Sequence, residues 1–141
     1  PPCADGLLGI DVPAVIEGNN MVSDDSYKPV ACNANDGGRD DILYFVAPQA
    51  GVYAFHGDGT TFDALLWVLD DCGGMELGCN DNNGGSGQCD LINPQSGLAP
   101  AVGGIELQAG ESVLVGIDTV WGPMMVGDYT VTADLQANVC E

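Results

Sequence analysis

The sequence predicts an all-β protein, a single antiparallel β-sandwich of about eight strands. Short apolar segments alternate along the chain with turns of Gly, Asp, Asn and Pro, and helical periodicity is weak throughout. Glycine accounts for 21 of the 141 residues, which suits tight turns and penalises helices. Six cysteines form an even set, as expected for three disulfides.

Strands are predicted from alternating or continuous apolar segments. Residues 41–47 alternate well, and the compact turn at 48–51 leads into residues 51–56, so we expect a hairpin. Residues 63–69 are apolar on both faces, as in the central strand of a two-layer fold. The full set is an early strand within 12–22, followed by 41–47, 51–56, 63–69, 75–80, 104–108, 112–118 and 128–135.

The chain length favours one domain spanning residues 1–141, and a hydrophobic fraction of 45% supplies its core. The longest strictly apolar run, residues 64–69, is far shorter than the roughly 18 residues of a membrane span, so we expect no membrane insertion. Two long polar loops, residues 24–40 and 80–97, are predicted to be functional or mobile.

The charge balance is strongly acidic. Against 21 Asp and Glu stand only Lys28 and Arg39, and the formal net charge is −19. Nucleic acids and anionic membranes are bound by neutralising their phosphates with Lys and Arg, so both classes of partner are excluded. Two compatible interpretations remain. In the first, the carboxylates make the protein soluble or adapt its surface to salt. In the second, some of them bind Ca²⁺, which takes about 6–8 oxygen ligands.

The cysteine pattern predicts a secreted or cell-surface protein. No C-x-x-C pair occurs and His56 is the only histidine, which disfavours zinc. Disulfides are therefore the better interpretation, and they imply an oxidising compartment. The cysteines are Cys3, Cys32, Cys72, Cys79, Cys89 and Cys140.

The pairing of these cysteines is only partly constrained by the sequence. Cys72 and Cys79 lie where one predicted strand turns into the next, which favours a local bridge. The other four are expected to pair as Cys3–Cys32 with Cys89–Cys140, or as Cys3–Cys140 with Cys32–Cys89.

Two acidic segments are candidate Ca²⁺ sites. If residues 63–69 and 75–80 form a hairpin, the start of the first arm lies beside the end of the second, where oxygen ligands would converge. The first set is Asp63, Asp81 and Asn83, and the second set is Asp36, Asp40 and Asp41. In the alternative interpretation, the same side chains only cap turns.

The sequence favours a binding surface over a catalytic site. Trp121, Met124 and Met125 lie in a segment with Gly and Pro, and large apolar side chains in a turn often mark an interface. The only histidine, His56, ends a predicted strand, and no nucleophile motif accompanies it. We therefore expect no catalytic residues.

Residues 41–135 contain three motifs in order: DILYFVAPQAGVYAFHGDGTTFDALLWVLDDCGGMELGCND, IELQAGESVLVGIDT and GDYTVTADL. Together they resemble bacterial pre-peptidase C-terminal (PPC) domains. This chain carries Asn80-Asp81-Asn82 where PPC relatives often have Asn-Asp-Asp. The resemblance implies a secreted β-sandwich of jelly-roll type that serves as a non-catalytic accessory domain. Some relatives bind Ca²⁺ or extracellular matrix.

Three functions remain as hypotheses. The first is an extracellular structural or interaction module that assembles with copies of itself through open sheet edges, with Ca²⁺ support. The second is an accessory domain of a secreted enzyme that binds a polysaccharide or matrix protein. The third, a hydrolase, has the least support because it would depend on His56 or on an arbitrary pair of carboxylates.

Overall fold

The computed structural model describes residues 2–21, 40–80, 100–119 and 126–139, which form nine strands and one short helix. The all-β class is confirmed, and β4 and β9 have the predicted bounds. The predicted early strand is β2, and β1 is an additional strand. The elements are β1 (Gly6–Gly9), β2 (Ala14–Asn19), β3 (Asp41–Val46), β4 (Gly51–His56), β5 (Ala64–Leu69), β6 (Glu76–Asn80), β7 (Ala101–Leu107), β8 (Ser112–Thr119), β9 (Asp128–Leu135) and α1 (Gln136–Val139).

The strands form two sheets that enclose the main core. The five-stranded sheet has the order β1-β3-β8-β5-β6, and the four-stranded sheet has the order β2-β9-β4-β7. Neighbouring strands are antiparallel except for β1, which runs parallel to β3. The antiparallel hairpin predicted for 63–69 and 75–80 is confirmed as β5 and β6.

The predicted hairpin of residues 41–47 and 51–56 is wrong. Strand β3 pairs with β1 and β8, whereas β4 belongs to the other sheet and pairs with β7 and β9. The intervening turn therefore crosses between the sheets. The Tyr53 hydroxyl holds this crossing by donating to the Gln49 carbonyl oxygen at 2.6 Å. Alternation identifies which face of a strand is buried, but a hairpin and a crossing have the same alternation.

The main core lies between the sheets and contains three packed aromatic rings. The centroid of the Phe45 ring lies 5.5 Å from those of both Tyr53 and Phe55, in edge-to-face geometry. All three side chains are fully buried. Such aromatic pairs stabilise a core beyond the area they bury, so these rings help to join the two sheets where β3 faces β4.

The five-stranded sheet also buries its outer face. Alternate residues of β5 point to opposite sides: Leu66 belongs to the main core, whereas Leu65 and Trp67 belong to a second apolar cluster. Every residue of β5 is consequently buried. The second cluster consists of Ile42, Leu65, Trp67, Leu69 and Leu114, with Cys3, Ala4, Tyr44, Cys72 and Cys79 packed against it.

A glycine on the neighbouring strand makes room for the largest side chain of the second cluster. Gly116 of β8 lies directly opposite Trp67 of β5, and a Cβ atom at Gly116 would overlap the indole ring. The ring lies over the bare backbone of β8. Its burial therefore depends on glycine at this position.

The N-terminal segment is fastened to the second cluster by a disulfide. Cys3 bonds Cys72 with a Cα–Cα distance of 5.8 Å, across a sequence separation of 69 residues. The predicted pair Cys72–Cys79 is therefore wrong, as are both predicted partners of Cys3, Cys32 and Cys140. The physical reason is that β1 pairs with β3, which brings the preceding residues onto the outer face of the sheet, beside the turn that contains Cys72.

Three disulfides were expected, and the described ranges contain one complete bridge. Cys79 is also disulfide-bonded. Its partner lies outside these ranges, because Cys3 and Cys72 bond each other. Cys32, Cys89 and Cys140 are not among the described residues.

Replacing both Cys3 and Cys72 with Ala should lower the free energy of unfolding by about 4 kcal/mol. Without the bridge, the unfolded chain is no longer closed into a loop across a separation of 69 residues, so its conformational entropy rises. Urea unfolding followed by circular dichroism measures the change. The double substitution leaves no unpaired thiol from this bridge. A variant as stable as the wild type would mean that this bridge does not constrain the fold.

Candidate functional site at the loop end of the sandwich

One end of the sandwich collects most of the predicted site residues. Strands β2, β4, β6 and β8 end there, and β3, β5, β7 and β9 begin there. We call this the loop end. The cross-strand pairs Asp41–Ile117, Ala64–Thr119 and Asn19–Asp128 lie beside it. Loops gathered at one end of a rigid sandwich are a common location for binding sites.

The structure places three of the predicted metal ligands at the loop end. Asp40 is buried just before β3, Asp41 is the first residue of β3, and Asp63 is half-buried just before β5. The other predicted site residues lie outside the described ranges: Asp36, Asp81, Asn83, Trp121, Met124 and Met125.

Asp41 has a structural role that the sequence did not indicate. Its carboxylate accepts a hydrogen bond from the hydroxyl of Tyr129, which links β3 in one sheet to β9 in the other. Burial, followed by the hydrogen bond to Asp41, raises the pKa of Tyr129. Gly18 lies opposite Tyr129 and leaves space for the ring, since a Cβ there would overlap the phenol.

Asp118 is an acidic residue that the sequence-based prediction missed. It follows Ile117, which pairs with Asp41, so it lies beside Asp40 at the end of the five-stranded sheet. Asp118 and Asp40 are 3% and 1% exposed, respectively. A carboxylate within the otherwise apolar strand β8 was the available sequence signal, because charged side chains are rarely buried without a partner.

No metal centre is assembled within residues 2–21, 40–80, 100–119 and 126–139, where no group of three or more His, Cys, Asp or Glu side chains could hold an ion. Both predicted Ca²⁺ sets include residues beyond these ranges. Of the first set, only Asp63 lies within the described ranges. Of the second set, Asp40 and Asp41 lie within them, and the Asp41 carboxylate already accepts the hydrogen bond from Tyr129.

An open groove of about 590 Å³ runs along the four-stranded sheet toward the loop end. Hydrogen bonds connect residues of its lining: Asn19 Nδ2 donates to Asp128 Oδ1 at 2.9 Å, and the Asp128 amide donates to Thr61 Oγ1 at 3.1 Å. The groove is lined by Glu17, Gly18, Asn19, Gly59, Thr61, Asp128, Tyr129 and Thr130. This lining offers carboxylate, amide and hydroxyl groups, which suit a polar, uncharged or cationic ligand.

His56 is the last residue of β4, a strand of the four-stranded sheet along which the groove lies. Its Nδ1 accepts a 3.4 Å hydrogen bond from the Asp58 amide. Burial lowers its pKa, and the charges of Asp58 and Asp134 oppose that effect. The Nδ1 atom of His56 therefore serves as a hydrogen-bond acceptor in the turn that follows β4.

No known family model and no curated protein matches this chain. The described ranges contain no helix long and apolar enough to cross a lipid bilayer. The likeness to PPC domains thus continues to depend on the motifs themselves.

Tyr129→Phe should lower the free energy of unfolding at neutral pH by about 2 kcal/mol, because the Asp41 carboxylate loses a charge-assisted hydrogen bond. The pH dependence should also change. The raised pKa in the folded state means that the wild type loses stability above about pH 10, where the unfolded tyrosine ionises. The variant should lack this contribution.

Urea unfolding at neutral and alkaline pH measures both effects. Tyr44→Phe is the matched control, since Tyr44 packs against the second cluster and not across the sheets. Equal stability losses for the two variants would contradict a special role for the Tyr129–Asp41 pair.

Proposed function

We propose that the chain is a non-catalytic, extracellular structural module of the jelly-roll class, which associates with copies of itself. The strand order supports this class. One sheet has the order β2-β9-β4-β7 and faces the strands β3-β8-β5-β6 of the other, as in a jelly roll, which combines two Greek keys in eight strands. Strand β1 extends the second of these sheets. Membership of the PPC family remains part of the proposal.

The Cys3–Cys72 disulfide supports an extracellular location. Disulfides persist in oxidising compartments and are rare in the reducing cytosol. The net charge of −19 is compatible with a protein that works in contact with salt or divalent cations. The proposed setting is therefore secretion or display at the cell surface.

The position of the exposed apolar side chains carries the proposal of self-association. Leu7 of β1, Val15 of β2 and Leu77 of β6 are all exposed, and each lies on an outermost strand of its sheet. Soluble proteins normally place charges on such edges, because an exposed apolar edge strand invites pairing with another chain. A second copy of the chain would cover these side chains.

Calcium forms part of the same proposal. Copies with this much negative charge repel one another unless cations screen or bridge them. Asp63 lies at the loop end, and together with Asp81 and Asn83 it would offer the oxygen ligands that Ca²⁺ prefers. Asp40, in the second predicted set with Asp36 and Asp41, lies at the same end.

We expect the chain to form larger assemblies in Ca²⁺ or in high salt and to dissociate in a chelator at low salt. Light scattering after size-exclusion chromatography measures the assembly mass. Asp63→Asn should weaken the response to Ca²⁺ but not to salt. Asp11→Asn removes the same charge at the opposite end and serves as the control. A chain that stays monomeric under all these conditions would contradict self-association.

The alternative function is an accessory domain that binds a polysaccharide or a matrix protein. The groove beside β2 and β9 favours it, because its carboxylate, amide and hydroxyl groups can hydrogen-bond to sugar hydroxyls. Trp121 would add an apolar contact of the kind that interfaces use.

In this alternative, Glu17→Ala should weaken polysaccharide binding measured by calorimetry, because Glu17 lines the groove. Glu106→Ala is the matched control: it removes the same charge from β7, the far edge of the same sheet. Equal affinities for the two variants, or no binding to a polysaccharide panel, would remove support for the groove as a sugar site.

A further inference from the structure

A short segment before β1, residues 2–5, lies on the outer face of the five-stranded sheet, and we call it the strap. Its Cys3 and Ala4 are half-buried and pack against the second cluster. Trp67 and Leu69 of that cluster are 0% and 2% exposed. The strap therefore forms part of the cover between an apolar surface and the solvent.

The strap is attached at both of its ends. At one end, Cys3 forms the disulfide with Cys72, and the Cys3 amide donates a 3.3 Å hydrogen bond to Cys72 Sγ. At the other end, the Asp5 amide donates to the Ile42 carbonyl oxygen at 2.7 Å, and Asp5 Oδ2 accepts from the Ile42 amide at 2.8 Å. Both contacts at the Cys3 end thus depend on Cys72.

The chain beyond the strap is held more firmly. Strand β1 pairs with β3, and its Leu8 is 5% exposed within the main core. Release that starts at Cys3 is expected to stop at Asp5, because further opening would break strand pairs and expose a core side chain. The strap can therefore open without the rest of the sandwich.

The Cys3–Cys72 bond lies where a reductant can reach it. Both cysteines are half-buried, and Asp71 and Gly73 on either side of Cys72 are exposed. Thiol–disulfide exchange requires a thiolate to reach one sulfur atom of the bond. A dithiol breaks the bond in two steps and itself becomes a disulfide, so that its two electrons and two protons leave Cys3 and Cys72 as thiols.

We propose that the Cys3–Cys72 bond is a redox latch, whose reduction by a dithiol frees the strap and uncovers the second cluster while both sheets stay folded. This inference goes beyond the proposed function and depends neither on self-association nor on Ca²⁺. The closed form belongs to oxidising conditions. The open form, after reduction, presents an apolar surface to solvent or to a partner.

The test isolates this bond from the other cysteines. Replacing Cys3 and Cys72 with Ser opens the latch without a reductant, so the remaining disulfides are kept. The chain has two tryptophans, and Trp121→Phe in every protein leaves the emission of Trp67 to report on the second cluster. Met75→Ala is the matched control, because it alters the same turn at an exposed position and spares the bond.

Acrylamide quenching of the Trp67 emission measures how accessible the indole is, and circular dichroism measures the β-sheet content. The double Ser variant should be quenched about twofold or more strongly than the bonded protein, because local opening admits solvent to the cluster. Its emission should shift to longer wavelength, and its circular dichroism spectrum should not change. Dithiothreitol should change the quenching of the bonded protein in the same direction.

Two outcomes would overturn the latch. Quenching of the double Ser variant equal to that of Met75→Ala would mean that the cluster stays covered without the bond. Loss of the β-sheet spectrum in the double Ser variant would mean that the bond holds the whole sandwich and not the strap alone. Neither outcome bears on self-association, which is measured separately by assembly mass.

Discussion

The fold depends on the burial of both faces of the five-stranded sheet. A two-layer sandwich ordinarily leaves the outer face of each sheet to solvent, yet Leu65, Trp67 and Leu69 on that face of β5 are buried as fully as the residues of the main core. The N-terminal residues contribute to this cover through the Cys3–Cys72 bond. The bond therefore does more than restrict the unfolded chain, because it also holds Cys3 and Ala4 against the second apolar cluster.

That construction gives the molecule two distinct regions. In the body, aromatic contacts join the sheets at Phe45, and the Tyr129–Asp41 hydrogen bond joins them again near the loop end. The loop end combines buried acidic side chains with the start of every long connection in the chain. The proposed self-association would use the outermost strands, whereas the proposed cation binding would use the loop end of the same body.

The sequence predicted the strands well and their partners poorly. The bounds of β4 and β9 follow from alternation and turn residues, because both are local properties of the chain. The crossing at residues 48–51 and the Cys3–Cys72 bond are not local. The same alternation serves a hairpin and a crossing, and Cys72 is close to Cys79 in sequence but bonds a residue brought near by β1. At the site, the position of Asp63 at the start of β5 follows from the predicted hairpin of residues 63–69 and 75–80. The engagement of Asp41 by Tyr129 could not be predicted, because the two lie in different sheets and 88 residues apart.

Mapping the disulfides directly tests the central claim that the N-terminal segment is fastened across the five-stranded sheet. Cleavage at Asp and Glu without reduction separates Cys3, Cys72 and Cys79 into different peptides, because Asp5, Asp71 and Glu76 lie between or beside them. Mass spectrometry should then find the Cys3 peptide joined to the Cys72 peptide. A Cys72 peptide joined to that of Cys79 would contradict the fold described for this face of the molecule.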